Sequence, residues 1–355
     1  MKKISALILV IIMVVALIGC GGGTTTQQAP PPPAATPPAG APANGVDAAD
    51  EEDGDVIRVA VLLPGLISDA GWSAGGHLGT VYLNENVPGV HAVYVESVTV
   101  IHADAAIRDF AEQGFDLIVG WSFDFGDYLH AVAPYYPEVN FLWAQGFRTA
   151  ENVSIMTAPL QETAFLAGMV AALMSETGVI GYIGGVDTLP QISALEGFRE
   201  GARYARPDVR VLHAFAGTWT DVEMGFQSAL AMFEQGVDVI MGRGNGIALG
   251  VMQAAVENDV YFFGDVGDQN ALAPNLLLTS TMWNVGRNLE FAIEDVRNGT
   301  FGDHRYHLGM AQGVTDIAPF HGLVPDDIAA RVFEVREEII SGQRVIEART
   351  EITEE

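Results

Sequence analysis

An internal repeat is the feature that most constrains the fold of this 355-residue chain. EQGFDLIVG at 112–120 and EQGVDVIMG at 234–242 are closely similar, and the second begins 122 residues after the first. The same offset places VIRVAVLLPG, which starts at Val56, opposite GVIGYIGGVD, which starts at Gly178. One spacing that holds at separate places indicates two copies of a single folding unit.

Each copy alternates apolar runs with helical patterns. The apolar runs end near Leu63, Glu96, Val119 and Trp143 in the first copy, and near Ile183, Phe215, Met241 and Gly264 in the second. Nearly continuous apolar strands that alternate with helices predict parallel sheets covered on both faces. Right-handed crossovers then give an α/β fold with two doubly wound, Rossmann-like lobes and a ligand cleft between them.

The predicted lobes exchange chain segments at a hinge. The first lobe comprises residues 56–158 plus about 281–318, and the second comprises 159–280 plus about 319–345. The apolar segment at 161–175 is too short to cross a bilayer, so it is interpreted as a packed helix that carries the chain between lobes.

The N-terminal region has the composition of an export signal followed by a tether. Two lysines and an apolar run precede LIGC, so residues 1–20 are interpreted as a lipoprotein signal that ends at a lipidated Cys20. The alternative is a transmembrane anchor, for which the run is short. Residues 21–55 are rich in Gly, Pro, Thr, Ala and acids and are predicted to be a disordered tether. This arrangement predicts a lipid-anchored protein on the extracytoplasmic face of the cell membrane.

Charge and missing motifs exclude several classes of function. The net charge of −28 disfavours nucleic acid and anionic lipid, since both would be repelled. The sequence contains no G-x-S-x-G elbow, no H-E-x-x-H pair and no Walker pattern. Its histidines are scattered, and HRYH at 304–307 lacks clustered acids, so no metal site is predicted. We therefore expect neither an enzyme nor a bound cofactor.

Aromatic side chains cluster where the predicted strands end. The five tryptophans all follow a strand end or lie in a connection near one: Trp72, Trp121, Trp143, Trp219 and Trp283. Because ligands of open parallel sheets bind beyond the carboxyl ends of the strands, these rings predict a flat ligand. Asp69 is a candidate reader of the ligand's edge, although a helix cap or Asx-turn is an equal alternative. Arg243 is expected to pair with an acid on the opposite lobe.

The motifs also match a known family in order. The motifs are GLISDAGW, AENVSIMTAPLQETAFLAGMVAALMS, IGYIGG, LEGFREGAR, DVIMGRGNGIALGVMQAA, GDVGDQN and LLLTSTMWNVG. With them the chain resembles the basic membrane protein (BMP) family, also called PnrA-like, over residues 56–342. The resemblance implies a type I periplasmic-binding-protein fold. It also implies a solute-binding lipoprotein that serves an ABC permease and its ATPase and carries a purine nucleoside or nucleobase.

Departures from the family pattern favour a bare base. Asp69 is retained from the acidic first-loop motif, and Trp72 stands where the nucleoside branch has its stacking Phe. Asp268 is retained in the second lobe, but Trp283 replaces a Lys. Groups that would hold ribose hydroxyls are thus missing, and an aromatic ring is gained.

The predicted ligand-binding set is therefore Asp69, Trp72, Ser122, Phe123, Trp219, Asn245, Asp268 and Trp283. The expected ligand is a purine nucleobase of the adenine, guanine or xanthine type, with a purine nucleoside as an alternative. Two further alternatives keep the fold: a ligand-sensing lipoprotein co-receptor that signals through a membrane kinase, and a binding protein for another small planar or sugar-like solute.

Overall fold

A computed structural model describes residues 56–69 and 71–353. The predicted signal at 1–20, with Cys20, and the tether at 21–55 lie outside the described residues. Within the described ranges, none of the helices is long and apolar enough to cross a bilayer.

In the described ranges, twelve strands form two six-stranded sheets. The first sheet contains β1 (Ile57–Leu62), β2 (Val90–Val95), β3 (Leu117–Gly120), β4 (Asn140–Ala144), β5 (Val153–Thr157) and β11 (Arg305–His307). The second contains β6 (Val179–Gly184), β7 (Arg210–Phe215), β8 (Val239–Arg243), β9 (Tyr261–Val266), β10 (Leu277–Trp283) and β12 (Thr315–Ile317). The strand orders are β11-β5-β4-β3-β1-β2 and β12-β10-β9-β8-β6-β7.

The two sheets have the same strand order, which confirms the predicted pair of doubly wound lobes. Every pairing in the first sheet is parallel, and in the second only β12 runs antiparallel, against β10. The central strands are buried on both faces, as β3 shows with four buried residues in LIVG. This burial explains their nearly continuous apolar sequence.

Nine helices complete the described part of the chain. They are α1 (Trp72–Asn86), α2 (Val100–Glu112), α3 (Gly126–Val132), α4 (Leu160–Met174), α5 (Leu189–Ala205), α6 (Val222–Phe233), α7 (Asn245–Glu257), α8 (Val285–Asn298) and α9 (Asp326–Ile340). The expected packed helix at 161–175 is α4, which is buried along most of its length.

The chain crosses between the sheets three times. It passes to the second sheet through α4, returns through α8 to β11, and then enters the second sheet again at β12. The Asn284 side chain caps the start of α8 by accepting from Arg287 N, and Gly299 ends the helix with φ +64°. The predicted return to the first lobe, about 281–318, is therefore too long: Thr315–Ile317 pairs with β10 in the second sheet.

Candidate functional site

One cavity of about 140 Å³ lies where the carboxyl ends of strands from both sheets meet. Its lining includes six of the eight predicted ligand-binding residues: Asp69, Trp72, Ser122, Phe123, Trp219 and Asn245. At roughly 10–15 Å³ per enclosed water, the cavity has space for on the order of ten waters. It therefore suits a small molecule rather than a dinucleotide.

Asp69 lies on the cavity wall and caps α1. Its Oδ1 accepts hydrogen bonds from the backbone N–H groups of Gly71 (2.9 Å) and Ala74 (3.0 Å), and its Oδ2 accepts from Ser73 (2.8 Å). A carboxylate that satisfies three N–H groups at a helix start stabilises that helix. The capping alternative thus describes the local geometry of Asp69.

Three of the tryptophans form a cluster at the first wall, the part of the cavity lining that comes from the first lobe, and Trp72 is its member on the cavity side. The rings of Trp72 and Trp121 are stacked with centroids 4.3 Å apart and planes 15° apart. Each indole N–H donates to the other residue's carbonyl oxygen, at 2.8 and 2.7 Å. Trp283, at the end of β10, packs on both rings with centroid distances of 5.7 and 5.2 Å. Trp283 is buried in this cluster and is not part of the cavity lining.

Trp143 supports the loop that carries Ser122 and Phe123. Its indole N–H donates to the carbonyl oxygens of Ser122 (3.1 Å) and Phe123 (3.0 Å), and its ring is buried. The Ser122 hydroxyl in turn accepts from Asp124 N at 3.2 Å. The loop is therefore held in place from behind, and the half-buried Phe123 ring is left on the cavity side.

The Asp124 carboxyl lies on the cavity lining and remains accessible to solvent. The protein atoms around it still remove part of its hydration, which raises its pKa above the usual value for an aspartate.

Trp219 lies against backbone on the second wall. A Cβ on Gly185 would sit 2.5 Å from the Trp219 ring, and one on Gly244 would sit 3.3 Å from it. Only residues without a side chain permit this approach, and Gly244 also has φ +108°, where L side chains are strained. The two glycines support one side of the indole, and the ring contributes to the cavity lining.

Arg243 pairs within its own lobe, which contradicts the expected pairing across the cleft. Its Nη2 lies 3.2 Å from Asp265 Oδ1, and its Nη1 donates to the Thr281 hydroxyl at 3.2 Å. Thr281 also donates to Asp265 Oδ1 at 2.9 Å. The Arg243 and Asp265 side chains are only 5% and 13% exposed, and both residues line the cavity.

Three cavity-lining residues have a buried polar atom with no hydrogen-bond partner in the described part of the chain. These atoms are Gln145 Oε1, Arg243 Nε and Asn245 Oδ1. Unsatisfied buried polar groups are costly, so they commonly mark places where a ligand or water completes the bonding.

Gln145 was missed by the sequence reasoning. It follows β4 directly and has φ +58°, an uncommon left-handed conformation for a residue with a side chain. Its position just after Trp143 and Ala144, at a strand end, was the available signal.

Asp268 lies outside the cavity lining. Its Oδ2 is 2.9 Å from His321 Nε2, and its Oδ1 accepts from Asn270 N at 3.0 Å. These contacts occupy Asp268 in an exposed turn after β9.

The charges at the cavity favour a neutral or cationic ligand. Three carboxyl groups line it, from Asp69, Asp124 and Asp265, against the single guanidinium of Arg243. A phosphate or other anion would be repelled. Within residues 56–69 and 71–353, no cluster of His, Cys, Asp and Glu has the makings of a metal site.

Comparisons with known proteins agree with this architecture. A purine-binding protein from Brucella abortus is 30% identical over 307 residues, which cover 86% of each chain. The transcriptional activator protein Med from Bacillus subtilis is 30% identical over 282 residues, covering 79% of this chain and 87% of that protein. A solute-binding protein of an ABC transporter system from Aeropyrum pernix has the same fold, with a TM-score of 0.71 at 23% identity, covering 83% of this chain and 94% of that one.

A family model matches residues 56–350 and is described as the ABC transporter substrate-binding protein PnrA-like family, Bmp. This match covers nearly all the described residues, including both cavity walls. The chain therefore belongs to the Bmp, or PnrA-like, family of ABC transporter substrate-binding proteins.

Proposed function

We propose that this protein captures a purine nucleobase in the cavity between its lobes and delivers it to an ABC permease for import. The observation that carries the proposal is the presence of aromatic rings on both walls: Trp72 and Phe123 on the first, Trp219 on the second. Flat rings on opposite walls suit a flat heterocycle, because stacking and apolar contact both use planar faces.

The polar groups of the cavity fit the edges of a base. The cavity lining supplies both donors and acceptors, from Ser122, Asn245, Gln145 and the Arg243–Asp265 pair. The excess of carboxyl groups argues against a nucleotide. The relative from Brucella abortus, whose name describes purine binding, supports the same ligand class.

The lobes would close on the base by a hinge motion. Three crossovers join the two sheets, and substrate-binding proteins of this architecture close around their ligand in this way. No bond is made or broken in this role, so the cavity needs rings and hydrogen-bonding groups rather than a nucleophile.

The protein would work at the outer face of the cell membrane. The LIGC motif assigns Cys20 as the lipid attachment site, and residues 21–55 would tether the body to it. Mass spectrometry of the membrane-bound protein tests this: a diacylated N-terminal Cys20 is expected, and a retained signal segment would contradict it.

Calorimetric titration of the purified protein tests the ligand class. The panel contains adenine, guanine, hypoxanthine and xanthine, their nucleosides, and glucose. At least one base is expected to bind with a Kd of about 1 μM or tighter, near −8 kcal/mol, and about tenfold more tightly than its nucleoside. Tight binding of a nucleoside or of glucose, without any base, would refute the proposal.

A regulatory role is a second candidate, favoured by the 30% identity to a relative named as a transcriptional activator. In this role the loaded protein would signal to a membrane kinase. Deleting the permease distinguishes the two: a transcriptional response to purine that persists without import supports sensing, and its loss supports transport.

A further inference from the structure

We infer that the Arg243–Asp265 pair selects purines that carry a carbonyl beside a ring N–H, the 6-oxopurines, over 6-aminopurines. This inference rests on the proposed function and assigns a residue pair to the choice among purines. Both residues line the cavity at the carboxyl ends of adjacent parallel strands, β8 and β9.

The pair is fixed before any ligand arrives. Arg243 is held by Asp265 and by the Thr281 hydroxyl, each at 3.2 Å. The backbone of Asp265 is held by Gln269, whose Nε2 donates to Asp265 O at 3.1 Å and whose Oε1 accepts from Asp265 N at 3.3 Å. A recognition group that is already in place loses little entropy on binding.

Both members of the pair keep unused hydrogen-bonding capacity. All the side-chain contacts of Asp265 go to Oδ1, from Val266 N, Thr281 and Arg243. Among the described residues, Oδ2 has no hydrogen bond. On Arg243, the Nε N–H is buried and has no partner there. The pair therefore keeps a charged donor and a charged acceptor without partners, on two residues that line the cavity.

A lactam edge is the chemical complement of this arrangement. In a 6-oxopurine the carbonyl oxygen accepts and the neighbouring N1–H donates, so both positions are satisfied at once. A 6-aminopurine has an exocyclic amine in place of the carbonyl oxygen and a ring nitrogen without a hydrogen in place of N1–H. Its amine N–H is much less acidic than a lactam N–H, and its ring nitrogen is a weaker acceptor than a carbonyl oxygen. Charge-assisted hydrogen bonds magnify these differences.

Two other cavity-lining residues favour a free base in the same site. Gln145 Oε1 and Asn245 Oδ1 are buried acceptors with no partner in the described chain. A free oxopurine still has an imidazole N–H to donate, which a nucleoside has lost to its sugar. Acceptors left unmatched by a ligand weaken its binding considerably.

The first experiment varies only the ligand. The unmodified protein is titrated calorimetrically with hypoxanthine, 1-methylhypoxanthine and adenine. Hypoxanthine is expected to bind at least about tenfold more tightly than adenine, and methylation at N1 is expected to weaken it by about tenfold or more. Adenine binding as tightly as hypoxanthine would overturn this inference while leaving the proposed function intact. If neither these three compounds nor any other purine bound, both this inference and the proposed function would be overturned.

The second experiment varies the pair. Asp265→Asn keeps an oxygen for Arg243 but puts an N–H₂ where Oδ2 accepts, so hypoxanthine affinity should fall about tenfold and adenine affinity less than about threefold. The matched control is Asp259→Asn, at the exposed amino end of β9, where φ is +56° and Asn is well tolerated. Circular dichroism and thermal melting confirm folding. Equal losses for hypoxanthine and adenine in a folded Asp265→Asn would assign the residue a structural role and overturn the inference.

Discussion

The two walls of the cavity use similar residue types in different ways. On the first wall, the polar groups of Asp69, Trp72 and Ser122 bond to the protein's own backbone. On the second wall, Arg243 and Asn245 carry buried polar atoms without partners in the described chain. These polar groups of the first wall thus have hydrogen-bond partners within the protein, whereas the second wall has polar atoms without such partners.

This difference indicates that the two lobes have different roles in ligand binding. A satisfied wall presents a rigid surface on which a flat ring can rest, and an unsatisfied wall discriminates among the edges of that ring. Gln145 is the exception, because it lies on the first wall and its Oε1 is unpaired. Substitutions that separate stability from affinity test this difference, and the expected effects are given from the largest to the smallest.

The largest effect on stability is expected at Asp69. Asp69→Ala removes the acceptor for three backbone N–H groups at the start of α1, which should lower the free energy of unfolding by about 2–3 kcal/mol. Urea denaturation measures this change. The control is Ser68→Ala, at the exposed neighbouring residue, which should alter stability by less than about 0.5 kcal/mol.

Asp69→Asn sharpens the same comparison. The amide keeps one acceptor oxygen, so roughly half of the lost stability should return. If Asp69→Ala instead abolished ligand binding and left the urea midpoint unchanged, Asp69 would belong with the discriminating groups rather than with the support of the wall.

The two indoles on the cavity walls should respond differently. Trp219→Ala removes a ring that rests on glycine backbone, and ligand affinity should fall by about 10- to 100-fold, the range seen when a base loses a stacking partner. Stability should change little. Trp219→Phe retains a flat ring and should bind within about threefold of the unmodified protein.

Trp72→Phe should show the opposite pattern. It deletes the N–H that donates to Trp121 O and should cost about 1 kcal/mol of stability with a smaller change in affinity. Calorimetry and urea denaturation on all three tryptophan variants give both readouts. Equal stability losses in Trp72→Phe and Trp219→Phe would remove the distinction between the walls.

The sequence predicted the fold well because the repeat and the strand pattern are properties of the chain alone. The offset between 112–120 and 234–242 places β3 opposite β8, which occupy the same position in the two sheets. Thr315–Ile317 was wrongly assigned to the first lobe, because a three-residue strand has too few positions to show a periodic pattern.

The site was predicted less completely because side-chain direction depends on tertiary packing. All five tryptophans fall near strand ends, but only Trp72 and Trp219 line the cavity, whereas Trp121, Trp143 and Trp283 pack behind its walls. The partner of Arg243 depends on which strand lies beside β8. Neither property is encoded in local spacing.

The smallest effect is expected at Asp124, and its sign follows from the raised pKa of this carboxyl. Partial burial disfavours the ionised form in the folded state. The carboxyl therefore lowers the stability of the folded protein only as the pH rises through its pKa, and this cost is absent at low pH. Asp124→Asn removes the charge and should therefore stabilise the protein near pH 7. Because the carboxyl is still reached by solvent, the gain should be only about a few tenths of a kcal/mol.

The advantage of Asp124→Asn should shrink as the pH is lowered and vanish once the aspartate is protonated in both the folded and unfolded states. Urea midpoints of both proteins, measured between about pH 7 and pH 3, give this difference directly. A variant that is less stable than the unmodified protein at pH 7 would mean that the ionised carboxylate has a favourable partner in the cavity wall. In that case the first wall, like the second, would rely on a charge for its structure, and the contrast between the walls would rest on Asp69 and the tryptophans alone.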